Sequence, residues 1–125
     1  VSLMSRDAVA TVVIATRDRG DRAVATIESL LADRGPAFDL TVVDQSADDR
    51  TEEALRPWLQ RTPLRYLRME ARGVSAARNL GAASAHTELV AFTDDDCTVD
   101  PGWLTGLVQA FAAAPRIAAV FGNVL

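Results

Sequence analysis

Short apolar runs rich in β-branched residues alternate along this chain with stretches in which apolar residues recur every three or four positions. The runs cover residues 9–16, 40–43, 64–67, 88–93 and 117–121. Their length and composition predict strands. Because they are apolar almost throughout, rather than at every second position, they are typical of strands covered on both faces.

The stretches between the runs have the spacing of amphipathic helices. One helical face combines Ala23, Ile27, Leu30 and Leu31. Residues 52–61 and 75–85 predict further helices, with a kink or break at Pro57 because proline lacks the N–H that a helix interior uses. Asp100 and Pro101 are typical of an N-cap residue and a first helical residue, so the last helix is expected to begin there.

Strands that alternate with helices predict an α/β fold: three layers, α/β/α, around a mainly parallel, doubly wound sheet. The length of 125 residues predicts one domain, residues 1–125. Sheets of this kind bind ligands beyond the carboxyl ends of their strands. We therefore expect the functional residues directly after each strand.

The composition excludes several classes of function. The net charge is −4, so no binding to nucleic acid is expected. All 13 basic residues are arginine, which excludes a catalytic lysine and disfavours a signalling receiver domain, since that family carries a lysine at the end of its fifth strand. One cysteine and one histidine cannot form an internal disulfide or a Cys/His zinc site.

No apolar run reaches the ~20 residues of a membrane helix, and the first residues have no signal-peptide pattern. We expect a cytoplasmic protein, which parts outside this sequence could attach to the inner face of the membrane. A sheet edge left open at the end of the chain would allow self-association. We also expect Cys97 to be buried, as a small apolar residue.

Asp94, Asp95 and Asp96 directly follow the fourth apolar run. The three carboxylates repel one another, and no neighbouring residue in the sequence supplies a positive charge. A hard divalent cation such as Mg²⁺ or Mn²⁺, held by carboxylates and substrate phosphates, would stabilise them. The alternatives are a solvated acidic turn or a haloacid-dehalogenase-like phosphatase, whose DxDxT motif is matched by Asp94, Asp96 and Thr98 with Asp94 as nucleophile.

Asp44 and Arg78 are two further candidates. Asp44 ends the second run, where an acidic residue can accept hydrogen bonds from a nucleoside, or can act as an N-cap or turn residue. Arg78 lies in a predicted helix of small residues. Its planar guanidinium suits phosphate oxygens, and the alternative is an arginine on the protein surface.

Together these positions resemble glycosyltransferase family 2, whose members have a GT-A fold. The resemblance rests on four blocks in the family's order: residues 12–19 (VVIATRDR), 42–49 (VVDQSADD), 73–81 (GVSAARNLG) and 92–96 (FTDDD). Gly122 and Asn123 resemble the strand that precedes the family's acceptor half, so the chain is expected to be truncated before that half. The chain departs from the family pattern at Arg17, Asp18 and Gln45, which leaves the nucleotide base open.

The resemblance implies an inverting glycosyltransferase. It would move a sugar from a nucleoside-diphosphate-sugar donor to an acceptor hydroxyl on a glycan, a lipid or a small molecule. The implied nucleotide contacts are Thr16, Asp44, Arg78, Asp94 and Asp95. Asp96, together with Asp94, would hold Mn²⁺ or Mg²⁺.

The resemblance also implies that the catalytic base comes from a later acidic motif. We therefore assign no catalytic residue and expect the base beyond Leu125. This chain alone is expected to bind donor and metal but to transfer sugar poorly. A nucleotide-binding module without catalysis is the remaining alternative.

Overall fold

A computed structural model of the protein describes residues 7–33, 35–59, 64–114 and 119. Strands and helices alternate strictly: β1 (Ala10–Thr16), α1 (Gly20–Leu31), β2 (Phe38–Asp44), α2 (Arg50–Leu59), β3 (Leu64–Arg68), α3 (Val74–Ala83), β4 (Leu89–Asp94) and α4 (Trp103–Ala113). Among the residues described, no helix combines the length and apolar character needed to cross a membrane.

The four strands pair in the order β3-β2-β1-β4, and every pair is parallel. Thr16 pairs with Asp44, and Ala15 pairs with Asp94, so the carboxyl ends of β1, β2 and β4 meet at one edge. The chain runs outward from β1 to β3 and then returns to β4 on the other side of β1. That reversal makes the gap between the ends of β1 and β4 the topological switch point, where α/β sheets bind ligands.

The sheet is covered on both faces, which confirms the predicted three-layer α/β fold. The larger core lies against α1, α2 and α4 and contains Val12, Ile14, Ile27, Leu40 and Leu55, each 0% exposed. The smaller core lies under α3, where Val13, Val43 and Ala77 are buried.

Close approach of α3 to the sheet depends on glycine. A Cβ atom added at Gly81 would lie 2.4 Å from Val13 Cγ1, which is shorter than any tolerable carbon–carbon contact. Gly81 therefore lets α3 lie close enough to β1 for Arg78, one turn earlier on the same helix, to reach the switch point.

The helix boundaries differ from the sequence predictions in two places. α2 continues past Pro57 to Leu59, so the helix is not broken at the proline. The start predicted for α4 at Asp100 and Pro101 is wrong, since the helix begins at Trp103. The reason is Gly102, which adopts φ 86°, a left-handed conformation that separates the Asp100 turn from the helix.

The strand predicted at residues 117–121 falls outside the described residues, apart from residue 119. Gly122 and Asn123, which resemble the strand before the family's acceptor half, lie outside them as well.

Candidate functional site

The last residue of β4 and the three residues that follow it form a turn, residues 94–97, here called the acidic turn. The turn is closed by the Cys97 N–H, which donates to the Asp94 carbonyl oxygen at 3.3 Å. Its three carboxylates lie in different environments, because Asp95 is buried at 6% exposure whereas Asp94 and Asp96 are exposed.

Asp95 is directed toward the ends of β1 and α1. Thr16 Oγ1 donates to Asp95 Oδ2 at 2.9 Å, and Arg19 Nη1 lies 3.5 Å from Asp95 Oδ1. The Thr16 hydroxyl is buried, whereas the Arg19 side chain is half exposed. The acidic turn is thus attached to β1 through a carboxylate, a hydroxyl and a guanidinium.

Asp94 is paired with an arginine from a different element. Arg78 Nη2, on α3, donates to Asp94 Oδ1 at 2.9 Å, and both side chains are about half exposed. The structure therefore brings together Arg78 and Asp94, two of the residues that the sequence singled out separately. It also supplies the positive charges that were missing from the sequence around the acidic cluster.

Asp96 has no arginine within ion-pair distance among the residues that the structure describes. Three residues, Asp94, Asp96 and Cys97, each offer one ligand atom, and these three atoms lie within 4.8 Å of one another. That spacing could hold a metal ion. Asp96 also borders a cavity of about 170 Å³ between the acidic turn and α1.

The expected burial of Cys97 is wrong, since this residue is exposed. β4 ends at Asp94, so Cys97 lies in the turn beyond the sheet, where neither core covers it. Partial desolvation and the neighbouring Asp96 carboxylate raise the pKa of its thiol.

Asp44, at the end of β2, is fully buried at 0% exposure. The Tyr66 hydroxyl on β3 donates to Asp44 Oδ2 at 2.5 Å, and the Ser46 N–H donates to Oδ1 at 2.9 Å. Burial and the hydrogen bond to Asp44 raise the pKa of Tyr66 well above its ordinary value. The carboxylate thus binds two donors within the protein at the point where the sequence predicted a nucleoside contact.

Ser46 extends this network to the β1–α1 turn. Its Oγ accepts a hydrogen bond from the Asp18 N–H at 2.8 Å and lies 3.1 Å from Thr51 Oγ1. Asp18 has φ 56°, a left-handed conformation that is unusual for a residue other than glycine. The hydrogen bond from the Asp18 N–H to Ser46 stabilises that conformation directly before Arg19.

The loop between β2 and α2 is held by Arg68, the last residue of β3. Its guanidinium donates to the Asp49 carboxylate at 2.6 Å, to the Asp48 carbonyl at 2.6 Å and to the Ser46 carbonyl at 3.3 Å. The hydrogen bond to Asp49 raises the pKa of Arg68. The loop that follows Asp44 is therefore bonded to the end of β3.

Two residues near the site were missed by reasoning from the sequence. Tyr66 bonds to Asp44 and carries no local sequence signal, except that it is the single tyrosine of the chain. Arg19 bonds to Asp95 and ends the first block that resembles the family, which is the signal that could have indicated it.

Comparison with known proteins defines the class. The model of the family described as "Glycosyl transferase family 2" matches residues 11–124. The chain therefore belongs to glycosyl transferase family 2.

A curated relative matches most of this chain. The succinoglycan biosynthesis protein ExoO of Rhizobium meliloti is 34% identical over 110 residues, which are 86% of this chain and 31% of that protein. The chain thus spans about a third of the length of this curated relative.

Solved structures share the fold. A mannosyltransferase of Pyrobaculum calidifontis, PcManGT, in complex with GDP-Man and Mn²⁺, has a TM-score of 0.76 and 25% identity, over 83% of this chain and 32% of the other. TarS 1–349 of S. aureus, in complex with UDP-GlcNAc, has a TM-score of 0.76 and 20% identity, over 93% of this chain and 36% of the other. The GT-A fold implied by the resemblance is thereby confirmed.

Proposed function

We propose that this chain forms the donor-binding part of a glycosyltransferase, which binds a nucleoside-diphosphate sugar together with Mn²⁺ or Mg²⁺. One observation carries the proposal: at the switch point of the sheet, Asp94 and Asp96 expose their carboxylates within 4.8 Å of each other, and the Arg78 guanidinium is bonded to Asp94. PcManGT, which shares this fold, was solved with GDP-Man and Mn²⁺, and supports a donor of the same class.

Asp94 and Asp96 are the proposed metal ligands. Their oxygen atoms are the hard donors that Mg²⁺ and Mn²⁺ prefer, and they lie within 4.8 Å of each other. The Cys97 thiol in the same group is a softer donor and is not proposed as a ligand. When bound, the cation would act as a Lewis acid toward the diphosphate leaving group.

Arg78 is proposed to bind the donor diphosphate. Its guanidinium is half exposed and is held at the switch point by Asp94, so it can form hydrogen bonds with phosphate oxygens while remaining close to this carboxylate. Thr16 and Asp44 are proposed to form the floor of the nucleotide pocket. Because Asp44 is fully buried, it would act through its partners Tyr66 and Ser46.

We expect transfer with inversion to a hydroxyl of a glycan, lipid or small molecule, because the resemblance implies it. The base that removes the proton of this hydroxyl is assigned to none of the described residues. A cytoplasmic location is proposed on the sequence alone. The comparisons lend no support to the haloacid-dehalogenase-like phosphatase, because the family match spans residues 11–124 and includes the acidic cluster.

Calorimetry with UDP, GDP and dTDP, each with and without Mn²⁺, tests the proposal. We expect one nucleotide to bind more tightly when Mn²⁺ is present. Asp96→Ala should remove this gain, because it deletes the proposed ligand that has no arginine partner among the described residues.

The matched control is Glu88→Ala, which removes an exposed carboxylate just before β4, at the opposite end of the strand. It should leave the effect of Mn²⁺ on nucleotide affinity unchanged. Equal nucleotide affinities with and without Mn²⁺ in the unmodified protein would contradict the proposed metal site.

A further inference from the structure

Asp95 differs from its two neighbours in both exposure and partners. Its residue exposure is 6%, whereas the Asp94 side chain is 55% exposed and Asp96 is also exposed. A carboxylate removed from water is costly unless hydrogen bonds or an opposite charge compensate it. The burial of Asp95 therefore has to be explained by the groups around it.

Both carboxylate oxygens of Asp95 have a partner within the protein. Thr16 Oγ1 donates to Oδ2 at 2.9 Å, and Arg19 Nη1 lies 3.5 Å from Oδ1. Together these groups compensate the buried charge, and both belong to the segment at the end of β1. They direct the side chain of Asp95 away from the surface on which Asp94 and Asp96 are exposed.

The backbone of the acidic turn is attached to α1 as well. Thr26 Oγ1 lies 2.7 Å from the Cys97 carbonyl and 3.1 Å from the Asp95 carbonyl. One hydroxyl carries a single proton, so the Cys97 carbonyl is the main acceptor and the Asp95 carbonyl a weaker one. The turn is thus fixed by β1 through a side chain and by α1 through its carbonyl groups.

We propose that Asp95 is a positioning residue: with Thr16 and Arg19 it holds the acidic turn so that Asp94 and Asp96 face the cation. The inference rests on the proposed function, because cation binding is itself proposed. It departs from the expectation, implied by the resemblance, that Asp95 contacts the nucleotide. The Asp95–Arg19 pair is neutral as a unit, so it should affect the position of the acidic turn and not the net charge of the site.

The test replaces this ion pair by neutral residues of similar shape. The double variant Arg19→Gln/Asp95→Asn has the same net charge as the unmodified protein, and an Asn side chain can still accept the hydrogen bond from Thr16. We expect its Mn²⁺ affinity, measured by electron paramagnetic resonance with Mn²⁺ alone, to stay within about threefold of the unmodified value. The spectrum of bound Mn²⁺ should not change, since no ligand is removed.

The matched control is Arg78→Gln/Asp94→Asn, which neutralises the neighbouring ion pair in the same way. Because this change removes a proposed ligand, we expect Mn²⁺ affinity to fall by about tenfold or more. The single variant Asp95→Asn leaves the Arg19 guanidinium without its negative partner, and this unpaired positive charge repels the cation, so the variant should bind Mn²⁺ about tenfold more weakly than the double variant. If Asp95 were itself a metal ligand, Mn²⁺ affinity would not recover in the double variant.

Loss of Mn²⁺ binding in Arg19→Gln/Asp95→Asn to the level of the Asp94 control, or a changed Mn²⁺ spectrum, would overturn the inference. If the unmodified protein binds no Mn²⁺, it is the proposed function that fails. Failure of the function is thereby distinguished from failure of the inference about Asp95. If the double variant does not fold, as judged by circular dichroism, Thr16→Val and Thr16→Ser replace it. We then expect weaker Mn²⁺ binding in Thr16→Val than in Thr16→Ser, which keeps the hydroxyl that bonds to Asp95, and equal binding in both would contradict the proposal.

Discussion

The hydrogen bond from Tyr66 to Asp44 can be removed with little other change by Tyr66→Phe. The acceptor is a carboxylate with 0% exposure, and the donor–acceptor distance is 2.5 Å. The variant keeps the aromatic ring, which packs against the larger core, and deletes only the hydroxyl. Asp44 Oδ2 would then lose this donor inside the protein.

The expected cost follows from the charge on the acceptor. A hydrogen bond to a charged group contributes about 1.5–3 kcal/mol, and we take about 2 kcal/mol because Tyr66 is only partly buried. For a domain of this size, that loss lowers Tm by roughly 6–8 °C. In an Asp44→Asn background the bond is neutral, so Tyr66→Phe should cost only about 1 kcal/mol.

Urea unfolding of the four proteins in this cycle measures both costs. A second assay uses the fact that Tyr66 is the single tyrosine, so tyrosinate absorbance reports this residue alone. Its pKa is raised above the ordinary 10.0. The stability due to the bond is therefore fully present below pH 10.0 and decreases as the pH rises through the folded-state pKa.

Two results would refute this reasoning. One is equal destabilisation by Tyr66→Phe in the unmodified protein and in the Asp44→Asn background, which would mean that the carboxylate is not the acceptor that matters. The other is a tyrosinate titration near the ordinary pKa of tyrosine in the folded protein. In either case the Tyr66 hydroxyl would not be the donor that holds the Asp44 carboxylate.

Two further predictions concern packing and the loop after β2. Gly81→Ala should destabilise the protein by about 1–3 kcal/mol in urea unfolding, because the added Cβ meets Val13. At Gly106, in α4, a new Cβ meets no atom of the described residues within 4 Å apart from the helix's own backbone, so Gly106→Ala should be neutral or stabilising by up to about 1 kcal/mol. Equal effects would refute the close contact. Arg68→Gln should accelerate hydrogen exchange in the β2–α2 loop, because it removes the bond to the Asp48 carbonyl. Arg72→Gln, which removes the exposed ion pair with Glu70, should not. Unchanged exchange in Arg68→Gln would show that the loop is held by other contacts.

The fold could be predicted because its strands are continuous apolar runs. β1, for example, has six buried residues among its seven, so the apolar pattern follows directly from cover on both faces. The boundaries were harder to predict, since they depend on single backbone conformations. At α4 the left-handed Gly102 moves the helix start to Trp103, although Asp100 and Pro101 have the composition of a helix start.

The candidate site could be predicted as a set of residues but not as a set of contacts. Asp94–Asp96 and Arg78 were found from local patterns, because each follows or lies within a recognisable element. The contact between Arg19 and Asp95 joins residues 76 positions apart, so no local pattern encodes it. The same holds for Tyr66, whose role depends on β3 lying next to β2.

The charges of the site suggest that cation and nucleotide depend on each other for binding. Of the three carboxylates in the acidic turn, Asp94 is paired with Arg78 and Asp95 with Arg19, so among the ion pairs of the described residues one negative charge, that of Asp96, is left in excess. A nucleoside diphosphate alone would meet this negative excess, and its own negative charge would be repelled. A divalent cation at the proposed site would reverse the sign of the group, and the diphosphate would then be attracted. Since such coupling is reciprocal, the factor by which Mn²⁺ strengthens nucleotide binding must equal the factor by which the nucleotide strengthens Mn²⁺ binding.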